Sequence, residues 1–165
     1  MSTILASRKI NLAMAVIVVV AAMSLNASAE SLLASTTRTG NYNQFTTHVF
    51  VALNDAGATA LSFTTTANNK VVKITYNAEC GVTGPVGSWQ SVTILVDGVQ
   101  ASPASGTGFA FCTSTGSVIT WVGSVRQSLI KVPVKGTHNV QVLVDLLSGA
   151  TGWWLGDTSI VVEQQ

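Results

Sequence analysis

Apolar and polar residues alternate along most of the chain, most clearly at 71–80, VVKITYNAEC. Val72, Ile74, Tyr76, Ala78 and Cys80 share one parity, and Lys73, Thr75, Asn77 and Glu79 the other. That is the period-two pattern of a strand with one buried face and one wet face. The pattern recurs at 45–53, where Phe45, Thr47, Val49, Val51 and Leu53 oppose Thr46, His48, Phe50 and Ala52. At 89–96, Val92, Ile94 and Val96 oppose Ser91, Thr93 and Leu95; at 138–146, Val140, Val142, Val144 and Leu146 oppose Asn139, Gln141 and Asp145. Shorter runs at 61–66, 99–102, 109–113, 118–122, 125–134 and 153–163 complete the set. In the last of these the parity changes at Gly156, which marks a kink.

Turn chemistry separates the runs. Asp97-Gly98 is the strongest hairpin signal, because both central positions of a type I′ turn need positive φ. Asn54-Asp55-Ala56-Gly57, Asn68-Asn69, Lys135-Gly136-Thr137 and 148–152 supply others. Pro103 and Pro133 mark strand ends or edges. No stretch carries helical periodicity. Nine or ten short strands therefore predict an all-β antiparallel sandwich of jelly-roll type, with an immunoglobulin-like Greek key as the alternative. The 71–80 strand is expected as a central wall. The closing GDTSIVVEQQ resembles the last strand of many extracellular jelly-roll and carbohydrate-binding-module domains, a resemblance of about ten residues that carries over no binding residue.

Residues 1–29 read as a secretory signal peptide: Arg8-Lys9, an uncharged run at 10–25, and Ala27-Ser28-Ala29 before Glu30. The strongly apolar part, 13–22, is shorter than the roughly 20 residues a spanning helix needs, so cleavage and a secreted or periplasmic protein without membrane attachment are expected. Residues 30–44 are polar and weakly patterned and read as a flexible leader or a first edge strand. The remainder, 45–165, is a comfortable size for a single sandwich domain.

Export changes the reading of charge and cysteine. Arg8 and Lys9 leave with the signal, so six of the eight basic residues remain against seven acidic ones, a formal charge of −1. That balance gives no electrostatic reason to bind nucleic acid or an anionic membrane. Cys80 and Cys112 are the two cysteines, and an oxidising compartment makes them one disulfide.

Candidate chemistry is sparse. Trp89, Trp121, Trp153 and Trp154 are the candidate ligand-binding residues, since an exposed indole can stack on a sugar ring. Their ordinary fate is burial. Trp153 and Trp154 are adjacent on a strand and should point to opposite faces. Asp55, Glu79, Asp97, Asp145 and Asp157 lie mostly at strand ends or turns without an Asp-x-Asp run; Asp97 is expected to serve its turn, and Asp157 to bond the backbone of Thr158 or Ser159. No metal ligand or cofactor is assigned; a calcium site built from loops at one end of the sandwich stays open, with no motif to support it. His48 and His138 read as surface or rim residues, and no phosphate loop, nucleophile elbow or zinc-protease motif is present. The resulting expectation is a secreted, non-catalytic module binding carbohydrate or cell-surface glycan. The competing class is a homo-oligomeric structural or interaction protein, in which outward-facing Phe50, Leu95, Phe109 and Phe111 meet another copy.

Overall fold

The structure is a computed structural model that describes residues 30–116 and 120–165. The expected signal segment and residues 118–119 of the 118–122 run lie outside the described residues. Within them the chain forms β1 (Ser31–Arg38), β2 (Tyr42–Gln44), β3 (Val49–Phe50), β4 (Leu61–Thr65), β5 (Lys70–Thr83) and β6 (Trp89–Val96). There follow β7 (Val99–Gln100), a single 3-10 turn at Gly106–Gly108, β8 (Ala110–Thr113), β9 (Val122–Val132), β10 (Gly136–Leu147) and β11 (Gly152–Gln164).

Two antiparallel sheets result. Sheet A runs β1-β11-β5-β9, with β2 continuing the β1 edge alongside β11; sheet B runs β3-β10-β6-β7, with β4 on the β3 side and β8 on the β7 side. Counting β1 with β2, β3 with β4, and β7 with β8 as single interrupted strands leaves eight positions, ordered 1-8-3-6 and 2-7-4-5. That order is the jelly roll, two Greek keys wrapped into a sandwich.

The alternation reads out as burial. Val72, Ile74, Tyr76, Ala78 and Cys80 of β5 face Val92, Ile94 and Val96 of β6 and Val140, Val142 and Val144 of β10 across a continuous core that also takes in Leu53, Trp153, Leu155 and Ile160. Each such side chain contributes roughly 1.5–3 kcal/mol on burial. β5 lies between β11 and β9, the central wall its pattern implies. Cys80 and Cys112, with Cα atoms 6.2 Å apart, join β5 to β8 and so tie one sheet to the other. At the Asp97-Gly98 hairpin both residues have positive φ, 49° and 80°.

Several expectations are corrected. Of the two readings of 30–44, the edge strand is the one the structure shows, in place of the flexible leader: β1 pairs with β11 from Ser31 opposite Gln164 to Arg38 opposite Thr158. An edge strand with one face on the core needs few apolar residues, which is why its composition left both readings open. The 45–53 alternation yields only the two-residue β3, because the chain crosses there from sheet A to sheet B, with His48 at φ 61°. β9 runs straight through Gly123-Ser124, which pair with Glu79 and Ala78. Phe111 is interior, with its ring 5.8 Å from that of Tyr76. The β6–β8 register shifts between Gln90 and Ser91, so Phe111 is an extra residue and turns inward beside Cys112. His138 is buried rather than at the rim, its Nδ1 2.7 Å from Asp97 Oδ2 and its Nε2 3.0 Å from the Val134 carbonyl.

Candidate functional site

The outward positions of sheet A form a grid of side chains across four strands. Thr37 of β1 stands opposite Ser159 of β11, Ser159 opposite Asn77 of β5, and Asn77 opposite Val125 of β9. The Asn77 amide nitrogen donates to Ser159 Oγ at 3.2 Å, so this polar row is partly self-ordered. In the next row towards the disulfide end the outward positions are Gly156 with Asp157, then Glu79, then Gly123. Two of these positions carry no side chain: Gly156 is buried beneath Glu79 and Trp121, while Gly123 lines a groove of about 530 Å³ together with Thr37, Thr39, Asn77, Glu79, Val125, Asp157 and Ser159.

A bulge shapes this row. Leu155 pairs with Cys80 and Thr158 with Ala78, so Gly156 and Asp157 together oppose Glu79. A Cβ on residue 156 would lie 2.9 Å from Glu79 Oε2, 3.1 Å from Glu79 Cβ and 3.4 Å from Trp121 Cζ3. Glycine therefore lets the Glu79 side chain and the Trp121 ring lie down together on the sheet. Trp121 immediately precedes β9, yet its indole reaches across β5 as far as β11. It is 42% exposed.

Arg38 holds the bulge. Its guanidinium is almost wholly buried and donates to the carbonyls of Gly40, Leu155 and Gly156, and it lies 5.2 Å from the Tyr42 ring centroid. Burial pulls its proton affinity below the ordinary arginine value, against nearby Tyr76, Asp55, Tyr42 and Asp157, which hold it up. Asp55 is engaged: it accepts from the Thr39 amide and hydroxyl and from the Gly40 amide. Glu79 and Asp157 are not. Neither makes a hydrogen bond or ion pair among the described residues, and both side chains are exposed. The local backbone bond expected for Asp157 is absent.

The four tryptophans separate. Trp153 is fully buried, donates its Nε1–H to the Thr46 carbonyl at 3.1 Å and packs on Tyr42. It is a core residue, which corrects its candidacy as a ligand platform. Trp154 points to the opposite face, as adjacent strand residues must. Half-buried on the outer side of sheet A, it stands in register with Gly81 and meets Phe45 edge-on at 5.6 Å. Trp89 lies on sheet B and donates to the Thr107 carbonyl at 3.3 Å. Trp121 and Trp154 thus share one end of one face, and the other two do not join them.

Sequence reasoning missed Glu79, Asp157 and the Thr37–Ser159–Asn77 row as groove residues. The available signal was glycine at outward strand positions, Gly123 and Gly156. The histidines assemble no chemistry: His48 Nδ1 pairs with Asp145 at 3.1 Å, His138 with Asp97, and no serine bonds either ring among the described residues. No group of three metal-ligating side chains is found among them.

At the sequence level no family model and no curated protein matches the chain. Among solved structures it is similar to the VP2 subviral particle of infectious bursal disease virus, at 11% identity and TM-score 0.39, over 82% of this chain and 32% of that one. This chain thus spans about a third of the viral protein. It is also similar to a family 35 carbohydrate binding module from Clostridium thermocellum, at 11% identity and TM-score 0.35, over 77% of this chain and 97% of the module. A further likeness is to a carbohydrate binding module of Cellvibrio mixtus lichenase 5A in complex with cellotriose, at 15% identity and TM-score 0.35, over 79% and 98%. Likenesses of this size bear on neither ligand nor partner.

Proposed function

We propose that the protein is an exported, non-catalytic carbohydrate-binding module whose ligand lies across the groove on the outer face of sheet A. The observation that carries this reading is Trp121: an indole 42% exposed that packs with Glu79 over Gly156, Glu79 being one wall of the groove that Asn77, Ser159 and Thr37 also line. A sugar ring presents an apolar face to an indole and hydroxyls to flanking polar groups, the mixture this groove offers. Trp121 provides the stacking surface, Asn77, Ser159 and Thr37 the hydroxyl partners, and Glu79 and Asp157 two free acceptors. Trp154 and Phe45 extend the apolar end.

The test is a glycan array followed by calorimetry on any hit, with wild type and Trp121→Ala. Truncating a central aromatic anchor costs about 2 kcal/mol or more, roughly 30-fold in affinity. An array without hits, or hits that Trp121→Ala leaves untouched, contradicts the proposal.

A second reading is self-association. Val125 and Leu129 are 58% and 45% exposed on β9, which ends sheet A, and Val122 and Val71 are exposed nearby. Phe50 is 38% exposed on the other sheet. A concentration-dependent mass by light scattering, abolished by Val125→Lys with Leu129→Lys, supports this reading; a constant monomer mass opposes it.

A further inference from the structure

Building on the carbohydrate reading, we infer that the groove selects sugars bearing a free amine, such as glucosamine units, over N-acetylated, neutral or acidic ones. Three observations converge. Glu79 Oε2 and Trp121 Cζ3 lie 2.9 and 3.4 Å from the position a Cβ on residue 156 would take, so a carboxylate and an indole are neighbours there. An ammonium placed there meets the negative face of the indole and a carboxylate acceptor together. Asp157 supplies a second acceptor on the far side of the bulge, and neither carboxylate has a hydrogen-bonding or ion-pair partner to displace.

The cations that could compete are committed elsewhere. The Arg38 guanidinium is buried and divided among three carbonyls. Glu79 rather than Asp157 shares the Gly156 position with the Trp121 ring, which makes it the stronger of the two sites. Lys73 is held between Glu30 at 2.6 Å and Glu163 at 3.0 Å. Lys131 stands opposite Val71, eight residues along β5 from Glu79 and so about 26 Å away. A uronate would meet two carboxylates with no free cation. An N-acetyl group would replace the ammonium with a neutral amide that gains nothing from either.

The test is calorimetric titration of the purified protein with tetramers of glucosamine, N-acetylglucosamine, glucose and galacturonate. Wild type is compared with Glu79→Gln, Asp157→Asn and Trp121→Ala, each checked by thermal melting. The glucosamine tetramer is expected to bind roughly tenfold tighter than its acetylated counterpart, from one exposed cation–π contact and one exposed ion pair. The margin should shrink at 1 M salt, where the screening length falls to about 3 Å. Glu79→Gln should erase the margin, bringing the glucosamine tetramer level with the acetylated one, and Asp157→Asn should reduce it less. Trp121-dependent binding with no preference for the amine, or a preference that survives Glu79→Gln, overturns this inference and leaves the carbohydrate reading standing. Absence of binding to every tetramer overturns both.

Discussion

The two outer faces of this sandwich follow one alternation rule and end in opposite states. On sheet B the outward residues Ser91, Thr93, Leu143 and Asp145 are buried, because chain crosses over them. Thr93 Oγ1 donates to the Gly106 carbonyl, Trp89 Nε1 to the Thr107 carbonyl, and Asp145 accepts from the Thr47 hydroxyl and contacts His48. On sheet A no described loop covers the Asn77 row, and Glu79 and Asp157 are exposed with no hydrogen bond or ion pair among the described residues, while Trp121 is 42% exposed. A polar group bonded within the fold is committed to stability. One left without a partner on an open, concave face remains free for a ligand. On the proposed reading, the difference between the faces is a difference between scaffold and site.

Exchanging tryptophans sharpens that contrast most. Trp153→Ala is expected to cost about 3–5 kcal/mol of stability, by opening a cavity in the core and orphaning the Thr46 carbonyl. Trp121→Ala is expected to shift stability by about 0.5 kcal/mol or less and to remove binding. Urea denaturation beside calorimetry separates the two, and a large stability loss at Trp121 would erase the distinction between faces.

The disulfide comes next. Replacing Cys80 and Cys112 by alanine should cost about 3–4 kcal/mol for a sequence separation of 32. If the groove belongs to sheet A alone, ligand affinity below the melting transition should be unchanged.

Filling the groove tests the open face without touching the core. A Cβ at Gly123 meets nothing within 4 Å, so Gly123→Leu should fold within about 0.5 kcal/mol of wild type and block the ligand. Binding that persists would place the site elsewhere.

The smallest effect concerns pH. Against burial, which raises it, hydrogen bonds from His138 and the Asn139 amide hold the Asp97 carboxyl below its ordinary value. A carboxyl depressed in the folded state contributes stability above its unfolded value of about 3.9, lost as pH falls through the lower folded value. Because the side chain is 47% exposed, the contribution is a few tenths of a kcal/mol to about 1 kcal/mol. Urea midpoints from pH 5 to 2.5 should fall less steeply for Asp97→Asn than for wild type.

The sandwich was legible because β5, β6 and β10 each bury one full parity, and their alternation alone selects the inward residues. The kink at Gly156 was legible for the same reason, as a break in parity. The two-residue β3 was not, and β1 only as one of two alternatives, because crossings and edge strands are defined by partners distant in sequence. The groove was hidden for a related reason: Gly123 and Gly156 become neighbours of Glu79 only through the β9–β5 and β11–β5 registers. Trp121 was legible as a candidate among four, yet its lean across β5 depends on a glycine 35 residues away in sequence.

The central claim is that Trp121, on the open face, is the ligand platform. The four indole N–H resonances in a nitrogen–proton correlation spectrum test it most directly, assigned by single Trp→Phe variants and followed while a bound glycan is titrated in. The Trp121 resonance should move most and Trp154 less, while Trp153 and Trp89, whose N–H groups are held by the Thr46 and Thr107 carbonyls, stay in place. A stationary Trp121 beside a shifting Trp89 would move the site to sheet B and contradict the account.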